Sequence, residues 1–155
     1  MPRLDLKTRE PYPFACELAV RTTDLNYGGH LGNDRMLALV QEARVAFLAS
    51  HGWSELDCGG AGLIMAEAAL VYRAEAFAGD MLRFEVTACE PSRAGFRLAT
   101  RVTRPARGDQ ASDLVAGQAP IEVALVETGM VCFDYERRRP VALPDAVRAV
   151  CSQEG

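Results

Sequence analysis

Alternating apolar and polar residues run through five separate stretches of the sequence, and one long helical pattern interrupts them after the first stretch. A period of two residues is typical of a half-buried strand, because successive side chains of a strand point to opposite faces. The predicted strands cover residues 14–23, 63–75, 82–88, 96–103 and 120–133. Four of them follow the helix with no second long helix between them. This order predicts an α+β chain with a mainly antiparallel sheet and one central helix.

The single long helix is predicted for residues 34–50, between a glycine-rich stretch and a stop at His51-Gly52. Its apolar residues cover more than one narrow stripe, which favours a helix that is surrounded on several sides. Asn33 or Asp34 is suited to cap the first turn with a side-chain oxygen. The helix should therefore begin directly after the glycine-rich stretch.

Smaller features complete the predicted chain. Gly129 is a candidate for a β-bulge in the last strand, residues 105–113 read as a polar turn, and a short helix is predicted near Pro144. An antiparallel sheet wrapped on one helix leaves an edge strand and one sheet face uncovered. Because proteins usually cover such surfaces by oligomerising, we expect a homodimer or homotetramer.

Composition limits the function classes. The 155 residues fit one domain, 1–155, with 49% hydrophobic residues, 25% charged residues and a net charge of −4. The mild acidity gives no support for nucleic-acid binding, and no apolar stretch has the length of a membrane span. Five cysteines form no C-x-x-C pair and no ligand cluster. We expect a cytoplasmic protein with reduced cysteines, no metal, no cofactor and no membrane partner.

Polar side chains with acid, base or hydrogen-bonding capacity crowd the turn before the helix: Asp24, Asn26 and His30. A glycine-rich turn that enters a helix lets backbone N–H groups approach a ligand, and the helix N-terminus carries a partial positive charge. The N–H near Asn33 is the natural donor for an oxyanion. The residues alone favour a plainer interpretation, in which the glycines form a tight turn, Asn33 caps, and Asp24 holds the loop.

Two sequence runs resemble a known family. T-D-L-N-Y-G-G-H-L-G-N-D-R-M-L…Q-E-A-R, residues 23–44, resembles the D-x-D…G/N-H-V-N-N…Y…E segment of hotdog-fold thioesterases of the 4-hydroxybenzoyl-CoA and plant acyl-ACP types. V-Y-R-A-E-A-F-A-G-D-M-L, residues 71–82, is similar, more weakly, to their (E)-Y-R-x-E/P…G-D segment. The resemblance implies a hotdog fold, a five-stranded sheet around one long helix, and hydrolysis of an acyl-CoA or acyl-carrier thioester.

The resemblance also implies site residues. Asp24 matches the first acid of the family motif, His30 its histidine, Glu42 the acid on the central helix, and Asn33 the helix entrance. The second acidic position, a nucleophile or general base in the 4-hydroxybenzoyl-CoA type, is Asn26 here. An amide cannot take a proton or form an acyl anhydride, so that mechanism does not transfer.

Two further departures remove other family candidates. Gly28 stands where the plant type has an asparagine, and Ala76 stands where some of those enzymes have a cysteine nucleophile. Water attack remains, with His30 or Glu42 as general base and Asn26 positioning the water or the carbonyl. Burial among apolar helix positions would favour proton uptake by Glu42, as a base requires. An ion pair of Glu42 with Arg35 or with a strand arginine is the alternative.

Other charged residues are weaker candidates. Alternation places Glu67 and Glu75 on one face of the second strand, where solvent or subunit contacts are expected. Arg97 and Arg101 could meet the phosphates of CoA through bidentate hydrogen bonds, although a solvated strand face explains them as well. They belong to a cluster in and around the fourth strand: Arg93, Arg97, Arg101, Arg104 and Arg107.

Two alternative functions remain open. A hotdog dehydratase or hydratase also uses a loop histidine with a helix acid, but the sequence lacks the His-Phe-Pro-Gly-like stretch of those enzymes. A protein that binds acyl thioesters without cleaving them is the second alternative, because Asn26 replaces the expected acid. The G-x-S-x-G, Walker and G-x-G-x-x-G motifs of other enzyme classes are absent from the sequence.

Overall fold

The computed structural model describes residues 1–106 and 117–151. Arg107 and most of the polar turn predicted for residues 105–113 lie outside these ranges. The elements follow in the order β1 Phe14–Ala19, a 3₁₀ turn Thr22–Asp24, α1 Asn33–Ser50, β2 Gly62–Tyr72, β3 Met81–Cys89, β4 Gly95–Arg104, β5 Ile121–Asp134, β6 Arg139–Pro140 and α2 Asp145–Val150. The predicted α+β order is confirmed, with β6 as a short additional strand.

All the strands belong to one antiparallel sheet. Its order is β1-β3-β4-β5-β2, and the two-residue β6 pairs with the end of β5. The strand that follows α1 therefore crosses to the far edge, so β1 and β2 are the two edge strands. This arrangement of a mainly antiparallel sheet and one long helix is the predicted fold class.

The core lies between α1 and one face of the sheet. Fully buried residues of the helix, such as Met36 and Phe47, pack into one cluster with Leu82, Phe84 and Val86 of β3. The alternation predicted for β3 and β4 is confirmed, because their apolar residues face the helix. The other side of α1 is exposed in the single chain. Within one chain, the prediction of a helix surrounded on several sides is therefore wrong. Among the described residues, no helix combines the length and apolar character that a membrane span requires.

The N-terminal segment, residues 1–13, contacts the outer face, by which we mean the side of the sheet opposite α1, through residues 9–12. Arg9 Nη2 lies 3.1 Å from Glu127 Oε1 of β5. Arg101 Nη1 of β4 lies 2.7 Å from Glu10 Oε1, and its guanidinium stands 4.9 Å from the centre of the Tyr12 ring. Ion pairs and one cation–π contact therefore attach this segment to two central strands.

Two bulges alter the register of the sheet. Between β2 and β5, Met65 pairs with Met130 and Glu67 with Gly129, so Ala66 is the additional residue. The bulge predicted at Gly129 is therefore on the opposite strand. Gly129 has another role, because a Cβ there would lie 2.7 Å from Cγ of Glu67, whose side chain crosses this position. Because Gly129 has no side chain, the Glu67 side chain can cross this position and reach its ion-pair partner, Arg97.

The second bulge is in β5, where Val123 is the additional residue. Val102 pairs with Ala124 and Thr103 with Glu122, which leaves Val123 between them. Its carbonyl oxygen accepts hydrogen bonds from the N–H groups of Arg73, at 2.8 Å, and Ala74, at 3.3 Å. Bulges redirect side chains and bend strands. Here the bulge holds the chain that continues from β2.

Gly32, and not Asn33 or Asp34, is the N-cap of α1, and no side chain caps this end. The predicted side-chain cap is wrong because Asn33 is already the first helical residue. The predicted stop at His51-Gly52 is confirmed: His51 is the C-cap, and Gly52 has φ +76°. Without a side chain over its first turn, the helix presents backbone N–H groups to the space in front of it.

Candidate active site

The turn between β1 and α1 is closed on itself by backbone hydrogen bonds. The N–H of Asn26 donates to the oxygen of His30 at 2.8 Å, and that of Gly29 donates to the oxygen of Asn26 at 3.1 Å. Gly29 has φ +80°, a conformation that other residues rarely adopt. At the end of the turn the N–H of Gly32 donates to the oxygen of Asp24 at 2.9 Å. The backbone thus fixes where His30 leaves the turn.

The Asp24 side chain holds the start of this turn. It is buried, and its carboxylate accepts hydrogen bonds from the Arg21 backbone N–H at 2.9 Å and from the Arg21 guanidinium at 3.2 and 3.1 Å. The hydrogen bonds from the Arg21 side chain are the main reason why the pKa of Asp24 lies below its usual range. These contacts give Asp24 a structural role in the loop. The catalytic role that the resemblance implies stays a prediction.

Asn26 and His30 meet around Gly28. Asn26 Oδ1 accepts a hydrogen bond from the Gly28 N–H at 2.9 Å, which shapes the turn. A Cβ at Gly28 would lie 3.1 Å from His30 Nε2 and 3.3 Å from Asn26 Oδ1. The absent side chain at Gly28 therefore leaves the room that the imidazole occupies. The structure brings these two predicted site residues together.

A cavity of about 250 Å³ opens beside the imidazole. Its walls come from the end of the turn, the first residues of α1, the chain after β2, and the β5 bulge. Most of this lining is apolar. The lining residues are His30, Leu31, Gly32, Asn33, Met36, Tyr72, Arg73, Ala74, Glu75, Ala76 and Val123. The cavity therefore joins an imidazole to the N-terminus of the central helix.

The first turn of α1 lines this cavity and contains a backbone donor without an acceptor among the described residues. Among the described residues, the N–H of Asn33 has no hydrogen-bond acceptor, as expected for the first N–H groups of a helix. The carbonyl of Asn33 is held from the other side by the Tyr72 hydroxyl, which donates to it at 2.6 Å. A fixed donor at a positive helix end suits a developing oxyanion. The position predicted for Asn33 is compatible with that role.

Glu75 lies beyond the strand in which the sequence pattern placed it, although it is exposed, as the predicted solvent contact requires. The strand β2 ends at Tyr72, so alternation does not extend to Glu75 and does not group it with Glu67. Glu75 lines the cavity, and its Oε1 lies 3.7 Å from His30 Nε2. The signal available in the sequence was the Arg73-Ala74-Glu75 run within the second family-like segment.

Glu42 does not reach this cavity within one chain. It lies about 13 Å along the helix axis from Asn33, at 1.5 Å per residue. It is exposed, so the expectation that apolar neighbours bury it is wrong. Nor do the described residues place it in an ion pair with Arg35 or with a strand arginine. Arg21 has a raised pKa, mainly because of its hydrogen bond to Asp24, and the Glu42 charge is only a minor cause.

Arg97 and Arg101 lie on the outer face, away from the cavity. Arg97 is paired with Glu67, and its Nε lies 3.2 Å from Glu90 Oε2. Arg101 makes two parallel bonds of 3.1 Å to the Glu85 carboxylate. Their predicted contacts with CoA phosphates stay predictions, because the fold does not bring them near His30.

No thiol stands ready as a nucleophile among the described residues. All five cysteines are free, and four of them are buried. Burial raises the pKa of Cys58 to about 12 and that of Cys89 to about 11, which disfavours the reactive thiolate. No group of three or more His, Cys, Asp or Glu in residues 1–106 and 117–151 could hold a metal ion.

The antiparallel sheet, the single long helix and the cavity at its entrance define a hotdog-fold protein with a candidate active site at the N-terminus of the helix. The chain belongs to the thioesterase-like superfamily, whose family model matches residues 20–150. No curated protein sequence gives a significant match.

Solved structures share the fold at low identity. A 1,4-dihydroxy-2-naphthoyl-CoA thioesterase from Synechocystis is 21% identical with a TM-score of 0.69, over 88% of this chain and 93% of its own. A gentisyl-CoA thioesterase is 16% identical with a TM-score of 0.70, over 90% and 100% of the two chains. The 4-hydroxybenzoyl-CoA thioesterase from a Pseudomonas species is 16% identical with a TM-score of 0.71, over 89% and 98%. At these identities the likeness establishes the hotdog fold.

Proposed function

We propose that this chain hydrolyses acyl-CoA or acyl-carrier thioesters with a water molecule as the nucleophile. One observation carries the proposal: His30 and Asn33, whose N–H has no acceptor among the described residues, line the same small cavity at the entrance of α1. The superfamily to which the chain belongs supports thioester chemistry. The acyl carbonyl would point its oxygen at the helix N-terminus, with water on the imidazole side.

The reaction then balances with these groups alone. His30 takes a proton from water as the water oxygen forms a bond to the acyl carbon, and the oxyanion rests on the Asn33 N–H. Collapse of the tetrahedral intermediate breaks the carbon–sulfur bond, and the leaving thiolate receives the proton from the imidazolium. The products are the carboxylic acid and the free thiol. The reaction as proposed uses no cofactor, because CoA is part of the substrate.

The cavity favours a small acyl group. Its volume of about 250 Å³ is just below the usual range of ligand pockets, roughly 300 to 1,000 Å³. Its apolar side chains, Met36, Ala74, Ala76 and Val123, suit an aromatic ring or a short aliphatic chain. The three solved structures described above are named as thioesterases of aromatic acyl-CoAs. We infer an aromatic or short-chain acyl substrate.

The working form proposed is a homodimer joined along β2. This edge strand has 11 residues, exposes Met65 and carries no proline, lysine or arginine that would block pairing. The opposite edge, β1, has only six residues and follows Pro11 and Pro13. An antiparallel second copy on β2 would continue the sheet and cover the exposed strand. A tetramer would need a further surface.

A second copy would also give Glu42 a place in the site. An exposed acid far from its own cavity can act as the helix base of the resemblance only on a neighbouring subunit. Mixing His30→Ala and Glu42→Ala chains tests this. If the two residues act across subunits, hybrid dimers hold one intact site and the mixture recovers about a quarter of wild-type activity. Two inactive variants that stay inactive when mixed would exclude Glu42 action in trans.

The proposed activity is tested by thiol release from a panel of benzoyl-type and short- to long-chain acyl-CoAs. We expect His30→Ala to lower kcat/KM by about 100-fold or more, the usual contribution of a general base. Asn26→Asp should raise activity if the site is a thioesterase weakened by loss of the family acid. An unchanged rate in that variant would contradict this interpretation.

Two other outcomes would replace the proposal. Hydration of enoyl-CoA without thiol release would identify a hydratase. Tight binding of CoA esters by wild-type protein with neither reaction would identify a binding protein.

The five free cysteines agree with a reducing compartment, and a cytoplasmic location is part of the proposal. That residues 1–155 form one domain also stays a prediction.

A further inference from the structure

We propose that Glu75 is a positioning residue for His30: its carboxylate lies beside Nε2 and stabilises the imidazolium formed when His30 takes a proton from water. The inference rests on the proposed function, and it concerns the same cavity. It assigns the acid partner within one chain to the segment after β2. The helix acid Glu42 is then not needed for that task.

The backbone places the two side chains together. The N–H of Leu31 donates to the oxygen of Ala76 at 2.8 Å, which locks the residues after His30 and Glu75 to each other. On its other side, the carbonyl of Glu75 accepts a hydrogen bond of 2.9 Å from Arg104 Nε. Hydrogen bonds to two different elements thus hold this segment. The approach of Glu75 to His30 follows from the fold and not only from a flexible side chain.

The ring contacts of His30 point the same way. Nδ1 lies 3.5 Å from the Leu31 oxygen, and Nε2 lies 3.7 Å from Glu75 Oε1. With the proton on Nδ1 facing the carbonyl, Nε2 bears the lone pair and serves as the base. A separation of 3.7 Å is longer than a direct hydrogen bond and leaves the pair free to tighten when Nε2 is protonated. The new N–H would then be beside a carboxylate.

Other charged or titratable groups near the imidazole do not offer this contact. From the segment after β2, Arg73 lines the cavity but is paired with Glu122, with 3.1 Å between Nε and Oε2. From β2 itself, the Tyr72 hydroxyl donates to the Asn33 carbonyl. The lining of β5, Val123, is apolar.

The two remaining elements around the imidazole are the first turn of α1 and the turn before it. Asp34 stands at the helix start, near Tyr72, whose pKa is raised first by burial and then by the Asp34 charge. Asp24, in the turn, is bound by Arg21. Glu75 is therefore the carboxylate that faces Nε2.

The main test compares pH profiles of kcat/KM for wild type, Glu75→Gln and Glu75→Asp. Removing the charge should lower the plateau about 1.5- to 5-fold, which corresponds to the strength of an exposed ion pair. The acid limb should move to lower pH, because the imidazolium loses its stabilising neighbour. Glu75→Asp should restore part of both effects. The matched control, Glu17→Gln on the exposed edge of β1, should leave the profile unchanged.

A second variant tests the geometry with Glu75 intact. In Gly28→Ala the new Cβ would lie 3.1 Å from His30 Nε2 and displace the ring from the carboxylate. We expect an activity loss similar to that of Glu75→Gln, with an unchanged midpoint of urea unfolding. Wild-type activity in Gly28→Ala would contradict the placement of the imidazole.

NMR separates this inference from the proposed function. The chain has only two histidines, so the carbon-bound imidazole protons of His30 are assigned by comparison with a His51→Gln variant. In Glu75→Gln the midpoint of the His30 titration should move to lower pH, whatever reaction the protein catalyses. An unmoved midpoint would overturn the pairing even if the protein is a thioesterase. A moved midpoint without thiol release would uphold the pairing and reject the proposed function.

Discussion

Asp24 shows how a buried carboxylate ties the shape of the site to pH. Its side chain is 2% exposed and is bonded to Arg21, which keeps its pKa below the usual range. The charged form therefore stabilises the folded state above about pH 4, the ordinary pKa of an aspartate. This contribution is lost as the pH falls below that value, through the lower pKa of the folded state.

The prediction for Asp24 is a stability difference that depends on pH. Asp24→Asn should lower the free energy of unfolding by about 1–2 kcal/mol at pH 7, because charge-assisted bonds to the turn are weakened. The difference from wild type should shrink as the pH falls from 4 towards 2. Urea unfolding at several pH values measures it. Asp5→Asn, on an exposed side chain, is the control, and an equal loss at all pH values would contradict the role of the charge.

At single positions, the sequence predicted which residues line the cavity better than it predicted the burial and the neighbours of a side chain. It singled out His30 and Asn33, which do line the cavity, because residue type and the glycine-rich turn are visible in the sequence. It misjudged the burial of Glu42 and the position of Glu75 relative to the end of β2. Both depend on which side of a helix stays uncovered and where a strand ends, and these are set by packing between distant segments.

At the scale of elements, β2 has two tasks. Its free edge is the surface proposed to pair with a second copy, and its end leads into Tyr72 and the cavity wall. A lysine on this edge should prevent pairing, since charged edge residues are a common way to keep strands apart. The same substitution on the opposite edge strand should have no such effect.

The prediction is that Ala68→Lys gives a monomer, whereas Ala19→Lys, an exposed residue of β1, leaves the dimer intact. Analytical ultracentrifugation at several protein concentrations measures the difference. Circular dichroism confirms that both variants stay folded. A dimer that survives Ala68→Lys unchanged would place the interface elsewhere.

The strand and helix pattern was predictable to within a few residues, because alternation and the 3.6-residue period are local properties. The structure ends β1 at Ala19, four residues before the predicted end, since the 3₁₀ turn at Thr22–Asp24 replaces the strand. The bulges at Ala66 and Val123 were not predictable. A bulge is a mismatch between two strands, and one strand read alone does not contain it.

At the scale of the whole molecule, charges on the outer face join the N-terminal segment to the sheet. Glu127 is central to them: Arg9 approaches its carboxylate to 3.1 Å and Arg97 to 3.8 Å, and its side chain is only 9% exposed. Glu67 pairs with the same Arg97 but is 59% exposed. Burial makes the first contact the more consequential of the two.

We therefore expect Glu127→Gln to lower the free energy of unfolding by about 1–3 kcal/mol, because two arginines lose a shielded acceptor. Glu67→Gln should cost less than about 1 kcal/mol, as exposed pairs do. Urea unfolding at low salt compares the two. Equal losses in both variants would mean that the burial of Glu127 does not matter.

The Leu31–Ala76 hydrogen bond has a thermodynamic consequence. It connects the turn that carries His30 to the continuation of the strand whose edge is proposed to receive a second copy. If the proposed site and dimer both form, one segment takes part in two equilibria, ligand binding and self-association. Coupling between equilibria is reciprocal. If a substrate changes the affinity of the subunits for each other by some factor, association of the subunits must change the affinity for that substrate by the same factor.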